Sequence, residues 1–425
     1  MVIRVRALLV AALLLMTMSL AGCGHYTCGA GFGDTTCGSS GSPTLSQGNG
    51  QNTASAFVYA VDQGATGASN GTIDGYELNA SSSSFGAISS YTAPTIPAAE
   101  GGMGMTVAQK QFLYVGFAGS LEIFGWTVSS SGALTSISGS PFPATFLSGT
   151  PSGIGQDTMI TDPAGANLFI ADTFGSKIYV YQIGSGGVLT SGTGSPLSMP
   201  SGFEPVNMTT DGLGKYLYVT NGNTGTHTGT SVAAYAIGTG GALAAVPGSP
   251  FAFPMWQVKG EPTGQFLIGT SGKTVPYAGV DDNNLYVFSI GSGTGALTQV
   301  AKQSTVYAPF SIAAQSDSGG AQVYSFGFND TQTAFNPIEG YTISSSGTLT
   351  ADSGSPFSGI GNGSWGQLDQ SGVLLFVYGS FLDTSTNQVT TQIAPLDVGS
   401  GGALTQPITT LTIATPGFWT VTDAP

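Results

Sequence analysis

A Gly-Ala-Leu-Thr-like phrase recurs along this chain, with its leucine at Leu134, Leu189, Leu243, Leu297, Leu349 and Leu404, successive copies lying 52 to 55 residues apart. Ile88, in Phe85-Gly86-Ala87-Ile88, lies 46 residues before the first of these and brings the count to seven. A second phrase keeps step with the first: Gly139-Ser140-Pro141-Phe142, Gly194-Ser195-Pro196-Leu197, Gly248-Ser249-Pro250-Phe251 and Gly354-Ser355-Pro356-Phe357. One such unit cannot bury its own apolar faces and must stack on its copies. The units are dense in glycine and strand formers, and helical periodicity is almost absent after the first twenty residues. The expected fold is therefore all-β: a seven-bladed β-propeller of four-stranded antiparallel blades.

The stretch from Pro205 to Phe251 shows how a unit becomes a blade. Val206 to Thr210 reads as a short inner strand and Asp211-Gly212-Leu213-Gly214 as a tight turn of the kind Asp and Gly favour. Lys215 to Thr220 and Ser231 to Ile237 read as the second and third strands, with side chains alternating between faces. Gly238-Thr239-Gly240-Gly241 turns the chain into the outer strand, Ala242 to Val246. Gly248-Ser249-Pro250-Phe251 carries it back to the axis, since proline ends strand pairing. Asp162-Pro163-Ala164-Gly165, Asp317-Ser318-Gly319-Gly320 and Asp369-Gln370-Ser371-Gly372 repeat the inner turn. The first unit opens on Phe57-Val58-Tyr59-Ala60-Val61-Asp62, a second strand with no inner strand before it. The chain closes on Pro416 to Asp423, an inner strand with no blade after it. The C-terminal strand is expected to complete the first blade, removing the edges an open array would expose.

Ahead of the repeats, Arg4 and Arg6 precede an uncharged apolar stretch from Ala7 to Leu20, which reads as a secretory signal of residues 1–22. It is short for a membrane span, which takes about 20 apolar residues. Leu20-Ala21-Gly22-Cys23 resembles the bacterial lipobox, which implies that Cys23 is the first mature residue and the lipid acceptor. Residues 23–55, rich in Gly, Ser and Thr, then form a tether between the lipid and a propeller spanning 56–425. Lipid chains anchor a domain without spanning the bilayer, so the protein is expected in the bacterial cell envelope, extracytoplasmic and held to a membrane. Cys28 and Cys37 fall in the tether, where a small disulfide loop suits an oxidising compartment. Beyond Arg6 the chain has six lysines and no arginine against 22 Asp and Glu, which excludes a nucleic-acid partner that relies on basic surface. A monomeric propeller is expected.

Tyr218-Val219-Thr220-Asn221 spells the phrase that names the YVTN propeller repeats. With the Gly-Ala-Leu and Gly-Ser-Pro-Phe phrases it resembles the seven-bladed lactonase-like family, which includes bacterial 6-phosphogluconolactonases and muconate-cyclising enzymes. The likeness runs over about residues 56 to 425, and the matching residues are blade builders. It implies the fold, and for the family's enzymes it implies histidine, arginine and carboxylate side chains around one mouth of the axial channel. This chain departs from that pattern: no arginine follows Arg6, and its two histidines are His25 in the tether and His227 in a loop. Lysine does not reproduce arginine's bidentate fork.

The candidate site residues are therefore few. His227, in a Gly- and Thr-rich loop, offers a base or a metal ligand, although such surroundings also suit an exposed loop histidine. Asp281, Asp282 and Asn283 gather hard oxygen ligands of the kind calcium takes, or form the turn into the strand that follows; no cofactor is required. Gly67-Ala68-Ser69-Asn70-Gly71 matches a nucleophile elbow by letters but lacks the strand-to-helix setting. Gly272-Lys273-Thr274 lacks the leading glycine of a phosphate loop. Loops between second and third strands are long at Asn70, His227, Tyr277, Phe335 and Thr384, and short at Ala118-Gly119-Ser120 and Thr173-Phe174-Gly175. One face should thus carry a raised rim with a gap. On that face Trp256, Phe310, Trp365 and Trp419 begin inner strands, and Lys273 and Tyr277 lie in a long loop. These rings either stack on a ligand or plug the core. The expected function is a membrane-anchored module binding a protein, peptide or glycan on this face; the alternative is a lactonase with a divergent active site.

Overall fold

In a computed structural model, the second strands carry the ring. The structure describes residues 56–62, 70–79, 84–97, 102–117, 122–143, 158–223, 228–271, 282–317, 320–327, 336–358, 360–369, 372–383, 388–405, 411 and 416–423. The expected signal and tether, with Cys23, Cys28 and Cys37, and residues of most of the long loops lie outside these residues.

Seven antiparallel sheets of four or five strands surround an axis. In the fourth blade the order is Pro205–Thr210, Tyr216–Asn223, Thr228–Ile237 and Leu243–Ala245, from the axis outward. The ring closes as the ends of the chain implied: Pro416–Asp423 pairs antiparallel with Ala56–Asp62, with Ala56 opposite Asp423 and Tyr59 opposite Thr420. Lys110, in the inner turn of the second blade, adds an ion pair of 2.5 Å to Asp423 on that closing strand.

Among the described residues no single core runs through the ring. Apolar side chains instead form seven clusters, one at each seam between neighbouring blades. Strand alternation sends Leu217 and Val219 back against the third blade, while Tyr216 and Tyr218 face forward against the fifth. The same forward position holds Tyr59, Tyr114 and Tyr324, and each phenol crosses its seam to a glycine carbonyl in the next blade. The bonds are Tyr59 to Gly132 at 2.6 Å, Tyr114 to Gly187 at 2.6 Å, Tyr218 to Gly295 at 3.0 Å and Tyr324 to Gly402 at 3.0 Å. Burial pushes the Tyr59, Tyr114 and Tyr218 phenols up, so they stay protonated donors at physiological pH.

These glycines belong to the recurring phrase. Leu134, Leu189, Leu243, Leu297, Leu349 and Leu404 each begin an outer strand, and the glycines before them make the turn into it. Gly187 has φ 79°, and a methyl group there would come within 2.6 Å of the Phe112 ring from the preceding blade. Glycine is required twice over, for backbone conformation and for close approach.

The second phrase also has a definite task. The serine hydroxyls of Ser140, Ser195, Ser249 and Ser355 accept the backbone N–H of Gly125, Val180, Ala234 and Gly340 at 2.9 to 3.0 Å. Those amides belong to third strands, whose outer partners are only three residues long in these blades. The returning chain thus covers the edge a short outer strand leaves unpaired. In the second and third blades it then pairs with the third strand directly, through Phe142–Pro143 and Leu197–Ser198.

The inner turns are fastened by their acids. Asp211 accepts the N–H of Lys215 and Tyr216 at 2.7 Å, Asp162 that of Ala166 at 2.7 Å, and Asp369 that of Leu374 at 3.0 Å. Glu261, in Glu261-Pro262-Thr263-Gly264, does the same for Gln265 and Phe266 at 2.6 and 3.0 Å. In the sixth blade Asp317 of the inner strand stands opposite Gly320 of the second strand.

Two substitutions test this scheme. Tyr218→Phe removes one seam bond and strands a buried carbonyl, and should cost about 1 to 3 kcal/mol in chemical denaturation. Gly187→Ala adds a clash to a left-handed backbone and should cost at least about 2 kcal/mol; equal stability of this variant and the wild type would contradict the packing described.

Candidate functional site

The inner strands are sheet edges that face the channel, so half of their backbone groups have no ladder partner. Polar side chains take that role between neighbouring blades. Asn207 accepts the Val258 N–H at 3.0 Å, Thr209 that of Gly260 at 3.1 Å, Gln257 that of Ile312 at 2.7 Å and Gln367 that of Val421 at 3.1 Å. At the loop end, Thr173, Thr220 and Thr270 donate to the carbonyls of Pro205, Trp256 and Pro309 at 2.6, 2.9 and 2.5 Å. Much of the channel's polarity is therefore spent on building the ring.

The loop face has an uneven rim. In the seventh blade the inner strand starts opposite Ser380, yet the hairpin behind it continues through Phe381↔Thr390, Leu382↔Val389 and Asp383↔Gln388. Three further pairs at about 3.3 Å per residue raise it about 10 Å. In the fourth blade the pairs Gly222↔Gly229 and Asn223↔Thr228 lie beyond the last inner pair, Pro205↔Asn221. The third blade ends low, its second and third strands closing at Asp172↔Lys177 around a short turn that exposes Phe174. Between the high sides, Asn336–Pro337 crosses from the sixth blade to pair with the seventh blade's inner strand.

The four aromatic candidates separate on this face. Trp256 is 9% exposed, and its ring lies against Gly222, where a methyl group would come within 2.8 Å of it. Trp419 is 3% exposed in the seam between the last and first blades. Both rings are packed into the propeller, the core-plug alternative that the sequence left open. Trp365 packs against the same seam as Trp419 but stays half-buried, and Phe310 is half-buried at the start of its blade. The sequence could not separate the four, because exposure depends on the neighbouring blade.

His227, Lys273, Tyr277 and Asp281 lie outside the described residues. Asp282 is described, and its carboxylate accepts from Tyr286, Asn284 and, at 3.3 Å, Ser271, with Lys302 3.9 Å away. Asn283 gives its carbonyl to the Thr305 N–H at 2.9 Å. Among the described residues no group of three or more His, Cys, Asp or Glu side chains gathers.

One carboxylate differs from all those that fasten turns. Asp172 is 5% exposed; its Oδ1 accepts the Gly175 N–H at 2.7 Å, while Oδ2 is buried with no hydrogen-bond partner. Gly175 lies over Oδ2, since a methyl group there would come within 1.9 Å of it. Burial raises this carboxyl's pKa above the usual carboxylate range, against the opposing pull of the Gly175 N–H and Lys177. Sequence reasoning passed over Asp172, although it occupies the place of Asn221 in the YVTN-like phrase, and an acid there was the available signal. Glu339 was missed too; it holds the Val306 and Tyr307 amides at 3.0 and 2.9 Å and accepts from Tyr341 at 2.6 Å.

A group whose folded pKa is raised favours the folded state less as pH climbs from the unfolded value through the folded one. Asp172→Asn should therefore raise the melting temperature at pH 7 relative to wild type, and this gain should shrink toward pH 3.5. A constant difference across that range would show that burial does not raise the Asp172 pKa.

No family model matches the sequence, and no curated protein matches it. Solved structures do. A periplasmic gluconolactonase from Pseudomonas aeruginosa superposes with a TM-score of 0.58 at 15% identity, over 87% of this chain and 100% of its own. A Bacteroides uniformis protein described as a 6-phosphogluconolactonase gives 0.59 at 13% identity, over 87% and 100%. A Bacteroides fragilis protein with the same description gives 0.56 at 15%, over 88% and 99%. At such identities the likeness establishes the fold.

Proposed function

We propose that this lactonase-like propeller is an extracytoplasmic binding module, anchored through a lipid on Cys23, that holds a peptide or glycan across its loop face. The observation that carries this reading is the uneven rim: the tall hairpin of the seventh blade and the raised one of the fourth stand on either side of half-buried rings at Trp365 and Phe310. An aromatic face that is partly covered by its own blade is held in place, so stacking on it costs little side-chain entropy. The low side at the third blade leaves an approach from solvent. Glu339 is engaged with the Val306 and Tyr307 amides.

Trp365→Leu and Phe310→Ser should each weaken capture of the preferred oligosaccharide or peptide on an array by about tenfold, with melting temperatures close to wild type. Undiminished capture by both folded variants would remove the loop face from consideration.

A second reading, hydrolysis of a sugar lactone, is favoured by Asp172 together with the gluconolactonase-like fold. A carboxyl whose pKa burial raises is a better proton donor to a leaving oxygen than an exposed one, provided the turn from Thr173 to Ser176 opens over Oδ2. On this reading the purified protein hydrolyses glucono-1,5-lactone, and Asp172→Asn lowers kcat about a hundredfold or more. Turnover no faster than buffer would end this second reading and leave the first standing.

A further inference from the structure

The two ends of the propeller differ in charge, and the chain enters the ring at one of them. Ala56 begins a second strand and stands opposite Asp423, the last residue of the closing inner strand, so residues 1–55 join the ring on the face where the inner turns lie. We infer that this inner-turn face rests on a lipid surface, which directs the loop face and its uneven rim away from the membrane. The inference rests on the lipid anchor at Cys23 proposed above, and adds to it the side of the domain that meets the bilayer.

The carboxylates of the inner turns are hidden. Asp211 is 1% exposed and Glu261 0%, and Asp162, Asp369 and Asp423 are likewise buried. The exposed residues of these turns are neutral or basic instead, among them Gln109, Gln111, Ala164, Thr263, Gln265 and Lys215. Toward the periphery, third strands add Glu77, partly exposed, and Asp397, exposed. The loop end is more acidic: Asp62, Asp74, Glu122, Glu204 and Asp282 are all partly exposed there, against Lys177 and Lys302. In a chain of formal net charge −14, an anionic headgroup layer therefore repels the loop end more strongly than the inner-turn end.

Leu213 and Val373 supply the apolar contact. Each is 56% exposed, Leu213 within the inner turn of the fourth blade and Val373 directly after that of the seventh. Side chains so placed can enter a headgroup layer while every strand stays paired, and the contact grows with the apolar area they bury. The loop end also exposes Phe174 and Val306, so apolar exposure alone does not choose the face; the charge asymmetry and the point of entry at Ala56 do. Two side chains bind a bilayer weakly from free solution. Linkage through the Gly-, Ser- and Thr-rich residues 23–55 keeps the face at an effective concentration on the order of millimolar, at which weak contact suffices.

The test uses the full chain, expressed with its leader in a bacterial host and reconstituted into vesicles of phosphatidylethanolamine and phosphatidylglycerol. In a Cys28→Ser, Cys37→Ser background, a fluorophore is placed on Ala164→Cys or on Phe174→Cys. Both positions belong to the third blade, and the six-residue strand Asn167–Asp172 between them spans about 20 Å. A nitroxide on the lipid headgroup should quench the label at position 164 at least about threefold more than that at 174. Equal quenching, or stronger quenching at 174, would overturn the assignment. Leu213→Glu combined with Val373→Glu changes two exposed side chains and should lower the quenching at 164 by about half or more; quenching as in the parent chain would overturn the assignment as well. A chain that carries no lipid on Cys23 by mass spectrometry and does not float with the vesicles ends the anchor reading and this inference with it. Flotation with equal quenching removes the orientation alone, and ligand capture at Trp365 and Phe310 is tested independently of both.

Discussion

A ring of blades is stable only if every seam is as good as the others, because each sheet buries its faces solely against its two neighbours. Here the limiting contact is that between a second strand and the turn leading into the next blade's outer strand. Four tyrosines cross that gap to glycine carbonyls, and the glycines leave room for the ring two residues before the tyrosine, as Gly132 does for Phe57 and Gly295 for Tyr216. In three blades the position holds Phe169, Ile268 or Phe376, which pack without the hydroxyl. The ring therefore relies on shape at every seam and adds a directional bond at four of them.

That constraint explains why the repeated phrases say so little about chemistry. Leu189, Gly187, Ser195 and Asp162 recur because a blade cannot be built without an outer-strand start, a close approach, an edge cover and a fastened turn. Residues that could carry function are those the repeat leaves free. Asp172 in place of Asn221, and Leu213 where the turns of neighbouring blades carry Ala164 and Thr263, are departures of this kind. Each is visible only after the blades have been aligned by their structural residues.

Both mouths of the channel are bounded by the same economy. Polar side chains at the axis first satisfy the unpaired backbone of the inner strands, as Asn207 and Gln257 do. A group is available to a ligand only where that demand has already been met. The hairpins of the fourth and seventh blades and the crossing segment Asn336–Pro337 add asymmetry on the loop side.

Blade number, strand order and the closing of the first blade by Pro416–Asp423 were legible in the chain itself, because each depends on local pattern: period, turn residues and alternation. The Gly-Ser-Pro-Phe phrase was legible as the return to the axis but not for its serine bonds, and Glu261 in place of a turn aspartate was passed over. Tertiary structure alone decided that Trp256 and Trp419 are buried while Trp365 and Phe310 keep an exposed side, that Asp172 has an unpartnered oxygen, and that the inner-turn acids are buried. These are relations between neighbouring blades, and residues brought together by a 50-residue repeat share no local signal. The order of the letters determines the blade; the company a side chain keeps depends on the blade beside it.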